Sequence, residues 1–155
     1  MRIFGLILTL VLAGSIAAAA KAHDGPGAPN PPGVELTYTT WFPTFPNMVG
    51  VVGGDIVGQL GGAVLERTVT GHFAHLTTVL IVIAPDPARS FTVHIEGVSN
   101  LQTGMAVLDG RVVDGWLRNA HVHVDFSAIH CTESPNGTCY QGTISVSRAP
   151  EQGGD

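Results

Sequence analysis

The chain has 155 residues, of which 45% are hydrophobic and only 12% charged, and its formal net charge is −5. An acidic chain with a single lysine, Lys21, lacks the basic footprint that a nucleic-acid backbone requires. Two cysteines and a strongly apolar N-terminus point instead toward export and an oxidising compartment.

Residues 1–22 read as a signal peptide. Arg2 forms a short positive region, "IFGLILTLVLAG" an apolar one, and Ala20 and Ala22 place small residues at −3 and −1 of a cleavage site. The apolar run is short for a membrane span, which needs about 20 such residues, and "VLIVIA" (Val79 to Ala84) is only strand-sized. No membrane span is therefore expected in the mature chain. Cleavage would remove Arg2 and Lys21, leaving 133 residues with five Arg and all 12 acidic side chains, a formal charge of −7. A lysine-free chain also has no lysine nucleophile or Schiff base.

Residues 23–33, "HDGPGAPNPPG", form a flexible Gly/Pro-rich lead-in, and a single β domain is expected over 34–148, with a disordered tail at 149–155. "VELTYTTW" (Val34 to Trp41) alternates and suits a first strand. "FPTFPN" (Phe42 to Asn47) carries two prolines that argue against a central strand, so its aromatics are expected to pack across one end of the core. Further strands are predicted at 58–68, 72–84, 90–97, 104–113, 119–130 and 138–147, separated by turn-like segments. No stretch has a helical period with caps. The expected fold class is all-β: a small antiparallel up-and-down barrel of calycin-like appearance, with a β-sandwich as the alternative. Glycines inside the strands favour the barrel, where tight bends are needed. The calycin likeness is one of architecture and fixes no function.

Cys131 and Cys139 bracket "CTESPNGTC", in which Pro135-Asn136-Gly137 is turn chemistry, so a disulfide is expected to clamp one hairpin loop. Their spacing matches no common zinc pattern. "NGT" (Asn136 to Thr138) is also a glycosylation sequon, but the turn accounts for it. A faint internal repeat aligns "AVLERTVTGHFAHLTTV" (Ala63 to Val79) with "AVLDGRVVDGWLRNAHVHVDF" (Ala106 to Phe126), pairing Arg67 with Arg111 and His75 with His121. Asp109 and Asp114 in "DGRVVDG" read as turn residues.

"NAHVHVDFS" raises the question of a metal. Alternation puts Val122, Val124 and Phe126 on the core face and His121, His123 and Asp125 on the other. In "SFTVHIEG", His94 and Glu96 oppose Phe91, Val93 and Ile95. His94, His121 and His123 would suit tetrahedral zinc, with Glu96 and Asp125 orienting them, and an open fourth position would make a hydrolase or hydratase. The deciding position is His94, which must lie beside the His121/His123 pair on an adjacent strand. A second metal reading puts copper on His23, whose amine and imidazole would chelate it after cleavage. The simpler account is a solvated strand face with no cofactor. No catalytic motif such as G-x-S-x-G is present.

The favoured expectation is a secreted or periplasmic, non-enzymatic barrel that binds a small apolar ligand or an extracellular protein partner. The alternatives are a zinc or copper protein and a structural envelope or matrix component.

Overall fold

Side chains at alternate positions point to opposite sides of a strand, so an apolar-polar alternation gives each strand one face for a core and one for water. Eight segments carry that pattern: β1 (Val34–Thr44), β2 (Asn47–Gly54), β3 (Gly58–Thr70), β4 (Phe73–Ile83), β5 (Phe91–Asn100), β6 (Met105–Gly115), β7 (His121–His130) and β8 (Thr138–Ser147). In the computed structural model, which describes residues 33–148, they form a closed antiparallel barrel in which every strand pairs with its neighbours in sequence and β8 closes onto β1. The barrel, and not the sandwich, is therefore the architecture, and closure leaves no unpaired sheet edge. One 3₁₀ turn, Pro87–Arg89, is the helical element among the described residues, and no helix among them is long and apolar enough to cross a membrane. The expected signal peptide, the lead-in up to residue 32, His23 and the tail from 149 lie outside the described residues.

Three sequence expectations need correction. β2, "NMVGVVGG", is a full strand that pairs β1 with β3, although its glycines weaken the strand signal. β1 continues through Pro43, because pairing with β8 stops at Thr40 and the ladder to β2 is bulged between Trp41 and Thr44, so the missing N–H is not required there. "DGRVVDG" is likewise not a turn. Asp109 and Asp114 both lie within β6, and Gly110 is admitted there because a Cβ would sit 2.0 Å from the His94 carbonyl oxygen.

The two ends of the barrel differ. At the end where β1 begins and β8 finishes, Val34, Leu36, Val82, Phe91, Val93, Val112, Val122 and Val146 are all buried and fill the interior. Trp116 packs against Phe91 with ring centroids 6.4 Å apart, and the Arg89 guanidinium lies 4.9 Å over the Trp116 ring. This end is a plug. Ile95, Leu108, Val124 and Ile144, also buried, form the layer above it. Toward the other end the packing thins out, and the interior opens.

The internal repeat does not survive as an equivalence of faces. Val64 is buried while its counterpart Val107 is exposed, and Ala106 is buried while Ala63 is only partly so. A one-residue offset in a period of two reverses every side chain, so the aligned hairpins present opposite faces from β3 and β6.

Candidate functional site

The open end holds a cavity of about 370 Å³, within the range of about 300–1,000 Å³ typical of small-molecule sites. An eight-stranded barrel is just wide enough either to fill with side chains or to hold one small ligand, and here the two halves do one each. Leu80, Ile95, Leu108 and Val124 make the apolar floor, while Tyr38, Thr40, Thr78 and Ser99 bring hydroxyl groups into the wall. The Thr40 hydroxyl is already committed, donating to the Val49 carbonyl at 2.8 Å.

An aromatic collar lines one side of the mouth, on β1, β7 and β8. Phe126 meets Tyr140 edge-on at 5.3 Å, Tyr140 meets Phe42 edge-on at 5.7 Å, and Phe42 lies 5.6 Å from Phe45. Such edge-to-face contacts fix ring positions beyond the area they bury. Phe42 and Phe45 come from the "FPTFPN" segment, which was expected to pack across one end of the core; it forms instead the end of the β1–β2 hairpin, and both rings line the cavity. Phe126 was expected in the core; its face is the predicted one, yet it is only half-buried because it borders the cavity.

The disulfide loop forms another part of the rim. Cys131 and Cys139 are bonded, with Cα atoms 5.7 Å apart, and the loop is closed by the Cys131 N–H donating to the Gly137 carbonyl at 3.1 Å. Asn136 lines the cavity while its Oδ1 accepts from the Ser134 hydroxyl at 2.6 Å and the Thr138 N–H at 3.0 Å. The Asn side chain thus serves the turn that positions it. A disulfide fits an oxidising setting.

Tyr38 is the most perturbed group of the site. Its hydroxyl points across the wall to the Asp125 main-chain oxygen, 3.4 Å away. Burial first, and the nearby Asp125 charge second, push its ionisation well above the ordinary value of 10.0. The phenol is therefore a neutral hydrogen-bond donor at the cavity wall.

The histidine face lies elsewhere, on the outside of the barrel. His123 Nδ1 is 2.7 Å from Asp109 Oδ1, and His121 Nε2 is 3.9 Å from the same oxygen. Asp109, taken from the sequence as a turn residue, is thus the group that β6 places beside the pair. Asp125 faces the same way, but its carboxylate accepts the Thr143 hydroxyl. His94 does not join them. It sits on β5, directly opposite Arg111 of β6, and Arg111 is in turn opposite His121 of β7. Two strand spacings separate His94 from His121, roughly 9–10 Å, with a guanidinium-bearing residue between them. Glu96 lies opposite Asp109, which in turn is opposite His123, so it too stands two strand spacings from the histidines. Among the described residues, the group of three potential ligand atoms that comes together is Cys131, Glu133 and Cys139, and its two sulfurs are joined to each other.

Sequence reasoning left open whether the barrel interior is filled or hollow, and it missed Arg67, the one charged residue among the described residues that line the cavity. The signal that hides it is a bulge. β3 pairs Val64 with Thr78 and then Glu66 with Thr77, so Leu65 is the extra residue and the alternation shifts by one. Arg67 consequently stands opposite Leu76 and lines the cavity. Compared with known proteins, the chain matches no family model, no curated protein and no solved structure, so function must be read from this geometry.

Proposed function

We propose that the protein is an exported, non-enzymatic barrel that binds one small, mainly apolar ligand in the open end of its interior. The observation that carries this reading is the contrast between a solidly filled half and a cavity of about 370 Å³ lined by Phe42, Phe126 and Tyr140. A barrel maintained only as a scaffold gains stability by filling such a space, because each missing contact is lost dispersion energy. Export is supported by the apolar N-terminus and the disulfide. The test is binding of an environment-sensitive apolar dye, N-phenyl-1-naphthylamine. Its fluorescence should rise with saturable, one-to-one stoichiometry, and Ala74→Trp, which puts an indole into the cavity wall, should suppress the rise. A dye signal untouched by Ala74→Trp would place the binding outside the barrel and refute the proposal.

A protein partner is a second reading, supported by a different surface. Val49 and Val51 of β2 and Ile81 and Ile83 of β4 are exposed on the outer wall, in rows that run through Gly61 and Gln59 of β3. Two exposed apolar pairs on either side of β3 suit contact with another protein. Sedimentation velocity of the protein and of Ile81→Lys tests it: self-association lost in the variant supports the reading, and monomers in both confine any such partner to a different chain.

A further inference from the structure

We propose that the ligand is an amphiphile with an anionic head, such as a carboxylate, held at Arg67 while its apolar chain fills the barrel. This rests on the cavity reading above and specifies its chemistry. Among the described residues that line the cavity, Arg67 alone is charged. It is one of only five arginines in a stretch that otherwise carries 12 acidic residues, so a cation at this mouth is opposite in sign to the protein as a whole. Its orientation follows from the bulge at Leu65. Without that extra residue in the ladder, Glu66 would stand opposite Leu76 and turn its carboxylate toward the interior; with it, Glu66 goes outside and Arg67 goes in.

Among the described residues, Arg67 also has no ion-pair or side-chain hydrogen-bond partner. The ion pairs of the described residues involve Asp109 with His121 and His123, and the arginine side-chain hydrogen bonds are those of Arg89 and Arg111. A guanidinium presents a planar fork that matches a carboxylate with two parallel N–H donors. Its position at the rim, exposed to water, lets a charged head remain hydrated on one side while the chain behind it passes the aromatic collar. The hydroxyls of Thr78 and Ser99 line the same cavity as the apolar Leu80, Ile95, Leu108 and Val124. Among the described residues, no acidic side chain lines the cavity to repel an anion. A cationic amphiphile would meet the guanidinium instead of a counter-charge.

Calorimetric titration with dodecanoate and 1-dodecanol, which share a chain and differ in the head, tests the proposal on the oxidised protein above the titration range of the acid. Dodecanoate should bind about tenfold more tightly, the scale of a partly hydrated charge-assisted pair, and high salt should shrink the difference. Arg67→Gln should bring dodecanoate down to the affinity of dodecanol while leaving dodecanol unchanged, which also shows that the variant keeps its cavity. Arg67→Lys should keep part of the preference. Equal affinities in the unaltered protein, or equal losses for both probes in Arg67→Gln, would overturn the anionic head and leave an apolar ligand standing. Failure of both probes to bind the unaltered protein would overturn the cavity reading itself, and this proposal with it.

Discussion

The Tyr38 hydroxyl reaches the Asp125 main-chain oxygen, 3.4 Å away, across a strand that offers no side chain in its path. Tyr38 of β1 stands opposite Gly142 of β8, and Gly142 stands opposite Phe126 of β7. A Cβ on Gly142 would lie 1.8 Å from the Asp125 carbonyl oxygen and 2.7 Å from the Phe126 Cα, both backbone atoms that no rotamer change can move. The glycine therefore lets β7 and β8 approach closely under the cavity wall.

Gly142→Ala is expected to destabilise the protein by at least about 3 kcal/mol, in the upper range for single substitutions, because the strands themselves must part. Denaturant unfolding measures this directly. Gly61→Ala is the control, since a Cβ there meets nothing within 4 Å, and backbone entropy alone would make it neutral or stabilising; a similar loss for both would show that the close approach at Gly142 is not what requires its glycine.

Alkaline pH should weaken the fold through Tyr38. Its ionisation is raised in the folded state, so the neutral form is favoured by folding. The unfolded chain begins to release this proton near the ordinary 10.0, while the folded chain holds it. The associated stability is complete below that pH and declines as pH rises above it. Tyr38→Phe, which cannot ionise, should remove that part of the decline. The comparison is made from unfolding midpoints measured on both sides of pH 10.0; parallel curves for the two proteins would contradict the assignment.

The filled and hollow ends should respond differently to the loss of a ring. Phe91 is fully buried in the plug, and Phe91→Ala should cost about 3–5 kcal/mol. Phe126 already borders an empty space, so Phe126→Ala should cost less, about 1–3 kcal/mol, and should loosen dye or amphiphile binding as the collar opens. Equal costs would mean that the interior collapses around Phe126.

Much of this barrel was legible in the chain. In β7 the alternation of Val122, Val124 and Phe126 with His121, His123 and Asp125 assigns both faces as they are found. The same holds for Phe91, Val93 and Ile95 against His94 and Glu96 in β5. What alternation cannot show is whether an inward side chain meets another or meets space, which is why Phe126 read as core. Nor does it survive a bulge: the irregularity at Leu65 reverses the parity of everything after it and hid Arg67. β2 was obscured because Gly50, Gly53 and Gly54 carry no side chains to display a period. The distance between His94 and the later pair follows from strand order alone, since in an up-and-down barrel β6 must lie between β5 and β7.

The disulfide should matter to the rim more than to the barrel. The bridge closes a loop with a sequence separation of 8 residues, for which chain entropy implies about 2.5 kcal/mol. Cys131→Ser together with Cys139→Ser should lower stability by roughly 2–3 kcal/mol and leave the strand ladder intact. Because Asn136 lines the cavity from this loop, ligand affinity should fall further than that of a variant destabilised equally at the plug. Hydrogen exchange would show the protection loss concentrated between residues 131 and 139. Uniform loss around the whole barrel would count against a local role.

The outer histidines make a separable prediction about zinc. His123 and His121 share Asp109, at 2.7 Å and 3.9 Å, whereas His94 is held two strands away with Arg111 opposite both it and His121. Zinc needs its nitrogen ligands at about 2.0–2.1 Å, so His94 cannot join the pair without β6 leaving the sheet. Zinc titration of untagged protein should therefore give the same weak affinity for the unaltered chain and for His94→Ala. His123→Ala or Asp109→Asn should reduce whatever binding exists, because those side chains are adjacent. Both changes should leave stability within about 0.5 kcal/mol, as is usual for exposed surface positions. A tight zinc complex that His94→Ala abolishes would show that the three imidazoles do converge, and that the barrel wall between β5 and β7 rearranges to let them.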